Sequence, residues 1–357
     1  MREDKMPKAS IVTPSYNHAP FLRDRVNSIL NQTFDDFEWI IIDDCSTDNS
    51  AEILRNLTAH DPRVKLLFND KNLGMAATTK KAIELCSGEF IYRAESDDSC
   101  HPKFLERMVA ALDTNPNAGF VFCRSLHIDR KGKLWGGWNQ GKQDYVRPGL
   151  DIFRTLVLRN YIPGCNIVFS RKAGEAVGGF GKEPFSVACD WHFCLRLSLH
   201  YDVAYLAEPL GYHRIHDTNL SGNLGRTFDL TLFFREGYEL LQDVFASIPE
   251  NQHKLHHLRA KAFKNLSLRH GASLYIKAVL NAKWRLARQI VHGIEHYDPG
   301  ATRSLDWIRA CAGQLLLSGV YHHFYMTLGR IFSIRGKYRL NRTDQLVSRS
   351  VPTGMAS

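Results

Sequence analysis

No apolar run in this chain is long and clean enough to cross a bilayer: the most apolar stretch, residues 315–332, is broken by His322, His323 and Arg330, which makes it a poor spanning helix. None of the eight cysteines stands in a Cys-x-x-Cys pair, so a zinc site of that spacing is not expected and all eight are read as reduced. Cys189 and Cys194 are five apart, off a single helical stripe, and are read as core thiols. There is no signal-peptide pattern ahead of the first strand pattern, no internal repeat and no low-complexity tract. Acidic charge is scarce at one end. Residues 251–357 hold 17 basic and 4 acidic side chains of the total 46 and 37, so that segment carries +13 and the remainder −4. A basic tail would suit nucleic acid, but no recognition motif accompanies it, and no nucleic-acid partner is expected.

What is present, within the first hundred residues, is an alternation of short elements. Residues 9–13 are β-rich, residues 39–42 form the unbroken apolar run of a doubly covered strand, and residues 64–68 and 90–92 follow. Between them, residues 20–31 place Phe21, Val26, Ile29 and Leu30 on one helical face. Asp48 or Ser50 can cap a second helix carrying Ile53, Leu54 and Leu57. Residues 74–86 fit a third that stops at Ser87-Gly88. This β-α-β-α order predicts a parallel sheet with helices on both faces.

Four polar elements each follow an apolar run: Thr-Pro-Ser-Tyr-Asn at 13–17, Ile-Ile-Asp-Asp at 41–44, Asn-Leu-Gly at 72–74 and Glu-Ser-Asp-Asp at 95–98. Loops at one edge of a parallel sheet are where open α/β folds hold ligands, and this order reads as a nucleoside-diphosphate site. With Cys-Asp-Trp-His-Phe-Cys-Leu-Arg-Leu at 189–197, the set resembles family 2 glycosyltransferases over about residues 8–222. The resemblance implies an α/β fold of GT-A type, a mainly parallel sheet flanked by helices in Rossmann-like fashion, followed by a C-terminal helical region. It also implies a nucleoside-diphosphate sugar donor, a divalent metal (Mn2+ or Mg2+) on the diphosphate, and attack of an acceptor hydroxyl with inversion.

The chemistry asks for such residues. A leaving nucleoside diphosphate gathers negative charge, and clustered carboxylates are the ligands of the hard ions that neutralise it. Asp97 and Asp98 are the candidate metal ligands, against the alternative of turn acids capping the helix after Pro102. Glu95 stands where the family usually has the first Asp of Asp-x-Asp, reaching ribose or a metal-bound water. Asp44 is expected to accept from a base N–H, with Asp43 beside it as a second contact or an end-of-strand acid. Tyr16 offers a stacking surface for the base, and Pro14 and Asn17 shape that loop. Asn72 and Gly74 turn the chain into the next helix. Thr79 replaces the Arg found there in many relatives, leaving Lys80 as either a diphosphate contact or part of a solvated face.

Inverting transfer needs a group that takes the acceptor proton, and Asp190, at the start of its helix, is the candidate base, with a first-turn acid as the alternative. Cys189 replaces the Glu that usually precedes it. The segment 161–170 resembles the family's acceptor side, and Gly178-Gly179 its small-residue turn. Tyr212-His213-Arg214-Ile215-His216 resembles a Tyr-Arg-x-His element, which makes His216 a metal or phosphate ligand, or else a satisfied core histidine.

The expected organisation is a flexible 1–7, a catalytic domain 8–225, a helical region 226–342 and a flexible tail 343–357. The acceptor is expected to be a bacterial surface glycan or its lipid-linked carrier. Absence of a Gln-x-x-Arg-Trp motif argues against a processive synthase. The location is expected to be cytoplasmic, with residues 315–342 either an interfacial helix anchored on anionic lipid by Arg335, Lys337, Arg339 and Arg342 or an ordinary helix with a solvated basic end. Two other functions stay open, a nucleotidyltransferase and a non-catalytic membrane-docking scaffold; Glu95 and Cys189 favour the second.

Overall fold

The computed structural model describes residues 6–138, 141–181, 185–186, 188–216, 230–280, 284–304 and 306–312. Strands β1 (Ala9–Ser15), β2 (Phe37–Asp43), β3 (Val64–Phe68) and β4 (Phe90–Arg93) run parallel in the order β3-β2-β1-β4. Helices α1 (Ala19–Leu30), α2 (Ser50–Thr58) and α3 (Met75–Glu84) connect them. The two faces are equally apolar because alternate residues of each strand enter different cores. Ile11, Trp39 and Ile41 pack with α1, while Val12, Ile40 and Ile42 face the side of α3. That is why residues 39–42 carry no polar residue.

Beyond β4 the sheet continues with β5 (Ser99–Cys100), β6 (Ala118–Ile128), β7 (Leu134–Gly137), β8 (Tyr145–Arg147), β9 (Ile167–Ser170) and β10 (Asp202–Arg214). The spatial order is β4-β9-β6-β10-β5, with β7 on β6 and β8 on β10. β9 is antiparallel to both β4 and β6, whereas β6 and β10 are parallel. Helices α4 (Phe104–Asp113), α5 (Gly149–Leu156), α6 (Arg171–Ala176), α7 (Cys189–Ser198) and α8 (Leu230–Ala246) complete the layers.

Several local expectations need correction. Neither Asp48 nor Ser50 caps α2, whose cap residue is Asn49. Asp48 accepts from the Ser50 and Ala19 amides and Ser50 Oγ accepts from His18 N, so both side chains fasten the start of α1 instead. On α1 the buried stripe includes Arg25, and Leu30 is only half-buried. α4 starts after Lys103, so Asp97 and Asp98 are not its caps.

The helical region is no outlying appendage. Phe234, Leu240, Leu241, Val244 and Phe245 of α8 join the same core as Phe193 and Leu197 of α7. Downstream lie α9 (Arg259–Asn265), α10 (Ala272–Leu280) and α11 (Trp284–Tyr297). Ahead of α10 the chain runs as a 3-10 stretch, Glu250–Leu258, then α9 and a π turn, Leu266–Gly271. All eight cysteines are free, and Cys189 and Cys194 are buried. Among the described residues no helix is long and apolar enough to cross a membrane. The junction at 225/226, the segment 315–342 and the tail 343–357 lie outside the described residues.

Candidate active site

The first three loops bind one another. Val12 O accepts from Ala94 N, so Pro14, two residues on, faces the same side but beyond the end of β4, where its missing N–H breaks no ladder. Asn17, with φ 54°, takes the left-handed conformation that Asn tolerates best after glycine. Its N donates to Ser46 Oγ at 2.9 Å and its Oδ1 accepts from Thr47 N at 2.8 Å. Tyr16 is 42% exposed, open to a stacking partner.

Asp44 is committed to its neighbours. Oδ1 accepts from Asn69 Nδ2 at 2.8 Å and Leu73 N at 2.9 Å, and Oδ2 accepts from Gly74 N at 2.8 Å. Asn72 Oδ1 accepts from the same Gly74 amide. Gly74 leads into α3 with φ 84°, a conformation a side chain would strain. Asp43 accepts from Ser46 N through Oδ1, while its buried Oδ2 has no hydrogen-bond partner among the described residues.

The acidic turn after β4 is the electrostatic centre. Glu95 forms an ion pair with Arg93, and Arg25 Nε donates to the Glu95 carbonyl at 2.6 Å. Burial raises the Glu95 pKa, Arg93 opposes this, and the other acids add to the rise. Asp97 Oδ2 lies 3.0 Å from His216 Nε2 and 4.0 Å from His18 Nε2, and His18 Nδ1 is 2.6 Å from Ser96 Oγ. Burial pushes the Asp97 carboxyl up, but the His216 hydrogen bond and the charges of His18, His216 and His213 prevail and hold it at about 2. Asp98 turns elsewhere: Oδ1 accepts from Arg214 N at 2.7 Å, and His213 Nδ1 lies 3.3 Å from that oxygen. Arg214 locks the turn from behind, its Nε donating to Asp97 O and one terminal nitrogen to Asp24.

Asp190 sits in the first turn of α7, its Oδ1 accepting from Trp191 N at 2.6 Å. A Cβ on Gly164 would stand 2.2 Å from Asp190 Oδ2 and 2.9 Å from an Arg93 guanidinium nitrogen, so both groups crowd over this glycine. Burial raises the Asp190 pKa and Arg93 restrains it. Arg93 therefore stands between Glu95 and Asp190. The stretch before α7 is held by α8: Glu236 accepts from Ser186 N at 2.9 Å and from Ala188 N at 3.1 Å, and His192 Nε2 meets Asp243 Oδ2 at 2.8 Å.

The fold thus gathers Glu95, Asp97, Asp98, His216 and, through Arg93, Asp190. It leaves Lys80 exposed on α3, with no ion pair to these acids among the described residues. Sequence reading overlooked Arg93, His18, His213, Gly164 and Glu236. Arg93 had a visible signal, an arginine ending an apolar strand two residues before an acidic motif; Glu236 had none.

Residues 10–177 match the family described as glycosyl transferase family 2. An uncharacterised glycosyltransferase of Haemophilus influenzae is 30% identical over 221 residues, 61% of this chain and 68% of the relative. The chain belongs to glycosyltransferase family 2, and it spans less than half the length of the first curated relatives it matches. Chondroitin synthase of Escherichia coli is 35% identical over 195 residues, but these cover 54% of this chain and only 27% of that relative. Among solved structures, Staphylococcus aureus TarS 1–349 in complex with UDP-GlcNAc superposes with a TM-score of 0.63 at 17% identity, over 85% of this chain and 89% of the other. Mannosyltransferase PcManGT of Pyrobaculum calidifontis, in complex with GDP-Man and Mn2+, gives 0.50 at 17% identity over 87% and 88%. At these identities the structures establish the shared GT-A-like fold.

Proposed function

We propose that the protein is a metal-dependent, inverting, non-processive glycosyltransferase that moves a hexose-type sugar from a nucleoside diphosphate to a hydroxyl of a bacterial surface glycan or its lipid-linked carrier. The observation that carries this reading is Arg93, ion-paired with Glu95 and crowding with Asp190 over Gly164, which sets a half-buried carboxyl of raised pKa near the donor-side acids.

In this reading the base stacks on Tyr16 and its N–H is met by Asp43, whose Oδ2 has no hydrogen-bond partner among the described residues, in preference to Asp44, which supports the Asn72–Gly74 turn. Glu95 faces the ribose. The residues fit a divalent ion: Asp97 with His216, and His18 close by, form an oxygen and nitrogen set that would hold a Mn2+-class cation. Such an ion neutralises charge on the departing diphosphate. Asp98, turned to Arg214 N, is a support for the turn. Asp190 takes the acceptor proton as the hydroxyl attacks the anomeric carbon from the face opposite the leaving group, and Arg93 restrains the rise in pKa that desolvation gives that carboxyl. The neighbours' bound UDP-GlcNAc and GDP-Man support a sugar-nucleotide donor, and the Mn2+ of one supports the metal.

Asp190→Asn is expected to lower turnover by about 10²–10⁴-fold while donor binding stays near wild type. Unchanged turnover would reduce Asp190 to a first-turn acid. Excess EDTA is expected to abolish transfer reversibly and Asp97→Ala to abolish it outright; full activity in chelator removes the metal from the mechanism.

A further inference from the structure

Asp98, Cys165 and His213 form a cluster with no role in the reaction above. They come from three distant segments: the turn after β4, the 3-10 turn Gly164–Asn166 and β10. His213 Nδ1 lies 3.3 Å and 3.4 Å from the two Asp98 oxygens and 3.8 Å from Cys165 Sγ. A single N–H can point along only one of these directions. Around a tetrahedral Zn2+, bonds of about 2.3 Å to sulfur and about 2.0–2.1 Å to nitrogen and oxygen separate S from N by about 3.6 Å and N from O by about 3.4 Å. The spacings found here match both within a few tenths of an ångström.

We propose that Asp98, Cys165 and His213 bind one Zn2+ through a carboxylate oxygen, Sγ and Nδ1, with the fourth position taken by water. The site is chemically separate from the ion at Asp97 and His216, because a thiolate selects a softer cation than a diphosphate clamp does. The ligands are already oriented: Arg214 N holds the Asp98 carboxylate, and the indole of Trp138 stacks on His213 at 5.7 Å and 29°. Burial pushes the Cys165 thiol well above its ordinary value; a bound cation offsets that burden, the thiol proton leaving to solvent. The ion would staple the acidic turn to the acceptor-side segment and β10.

The test uses the full-length chain stripped of metal and titrated with Zn2+ against a chromophoric chelator, then with Co2+. Wild type is expected to take up one equivalent of Zn2+ that depends on Cys165 and to show a near-ultraviolet thiolate-to-cobalt band, both lost in Cys165→Ser and His213→Ala and both kept in Asp97→Asn, whatever the uptake at the Asp97 site. Zn2+ is also expected to slow alkylation of Cys165, mapped by mass spectrometry on the wild type, a readout that stands if a variant fails to fold. Loss of uptake in Asp97→Asn with retention in Cys165→Ser would assign the ion to the diphosphate site and overturn the proposal. Absence of the cobalt band, or unprotected Cys165, would overturn it too, whatever the Mn2+ dependence of donor binding.

Discussion

At the scale of single residues, Gly164 is the tightest constraint on the proposed base. Its hydrogen leaves room for Asp190 Oδ2 and the Arg93 guanidinium, both within 3 Å of where a methyl group would stand. Gly164→Ala is expected to displace that pair and lower turnover by about 10²-fold, the scale of an ångström's misplacement, with donor binding nearly unchanged. Wild-type turnover in this variant would show that the crowding has no catalytic meaning. Arg93 sets the pH response. Burial raises the Asp190 pKa and Arg93 lowers it, and the active base is the ionised form, so turnover falls as pH drops through the raised value. Removing the cation leaves burial unopposed. The acid limb of the kcat profile is therefore expected to move to higher pH in Arg93→Met and to stay nearer wild type in Arg93→Lys; coincident limbs in all three proteins would detach Arg93 from the base.

At the scale of elements, the hold of α8 on α7 converts a distant helix into part of the site. Glu236 satisfies two amides just before α7 and Asp243 meets His192 within it. Glu236→Ala leaves the buried Ala188 amide without that acceptor, a loss of about 1–3 kcal/mol, and is expected to lower both the melting temperature and kcat while the donor dissociation constant holds. A melting shift with kcat intact would make Glu236 structural only. This clamp was illegible in the sequence because a glutamate on a helix gives no sign of which backbone it faces fifty residues away. β1 to β4 were legible because each is a local apolar run that both cores demand, and Val64–Phe68 was read to the residue. β9, by contrast, is a four-residue strand whose antiparallel insertion between β4 and β6 depends on partners far apart in the chain. The acids of the turn after β4 were legible as a set, yet their division was not: Asp97 meets His216 while Asp98 turns to Arg214, a difference decided by backbone direction over one residue.

At the scale of the whole molecule, charge and packing divide differently. The core runs without a break from the sheet through α8 to Ile290 and Ile294 of α11. The charge boundary is real: residues 251–357 carry +13 against −4 for the rest. A surface that concentrates positive charge on one segment is drawn to an anionic bilayer by about 1 kcal/mol per basic side chain near it, over a distance that salt shortens. An acceptor on a lipid-linked carrier would make that attraction useful, bringing the enzyme to the surface where its substrate is confined. Full-length protein is accordingly expected to sediment with anionic but not neutral vesicles at low salt and to be released as salt rises. Replacing Arg335, Lys337, Arg339 and Arg342 together with Gln is expected to weaken this binding while transfer to a soluble acceptor is unchanged. Equal sedimentation with both vesicle types would assign the attachment to apolar contact alone, and none with either would leave the charge excess without a membrane role.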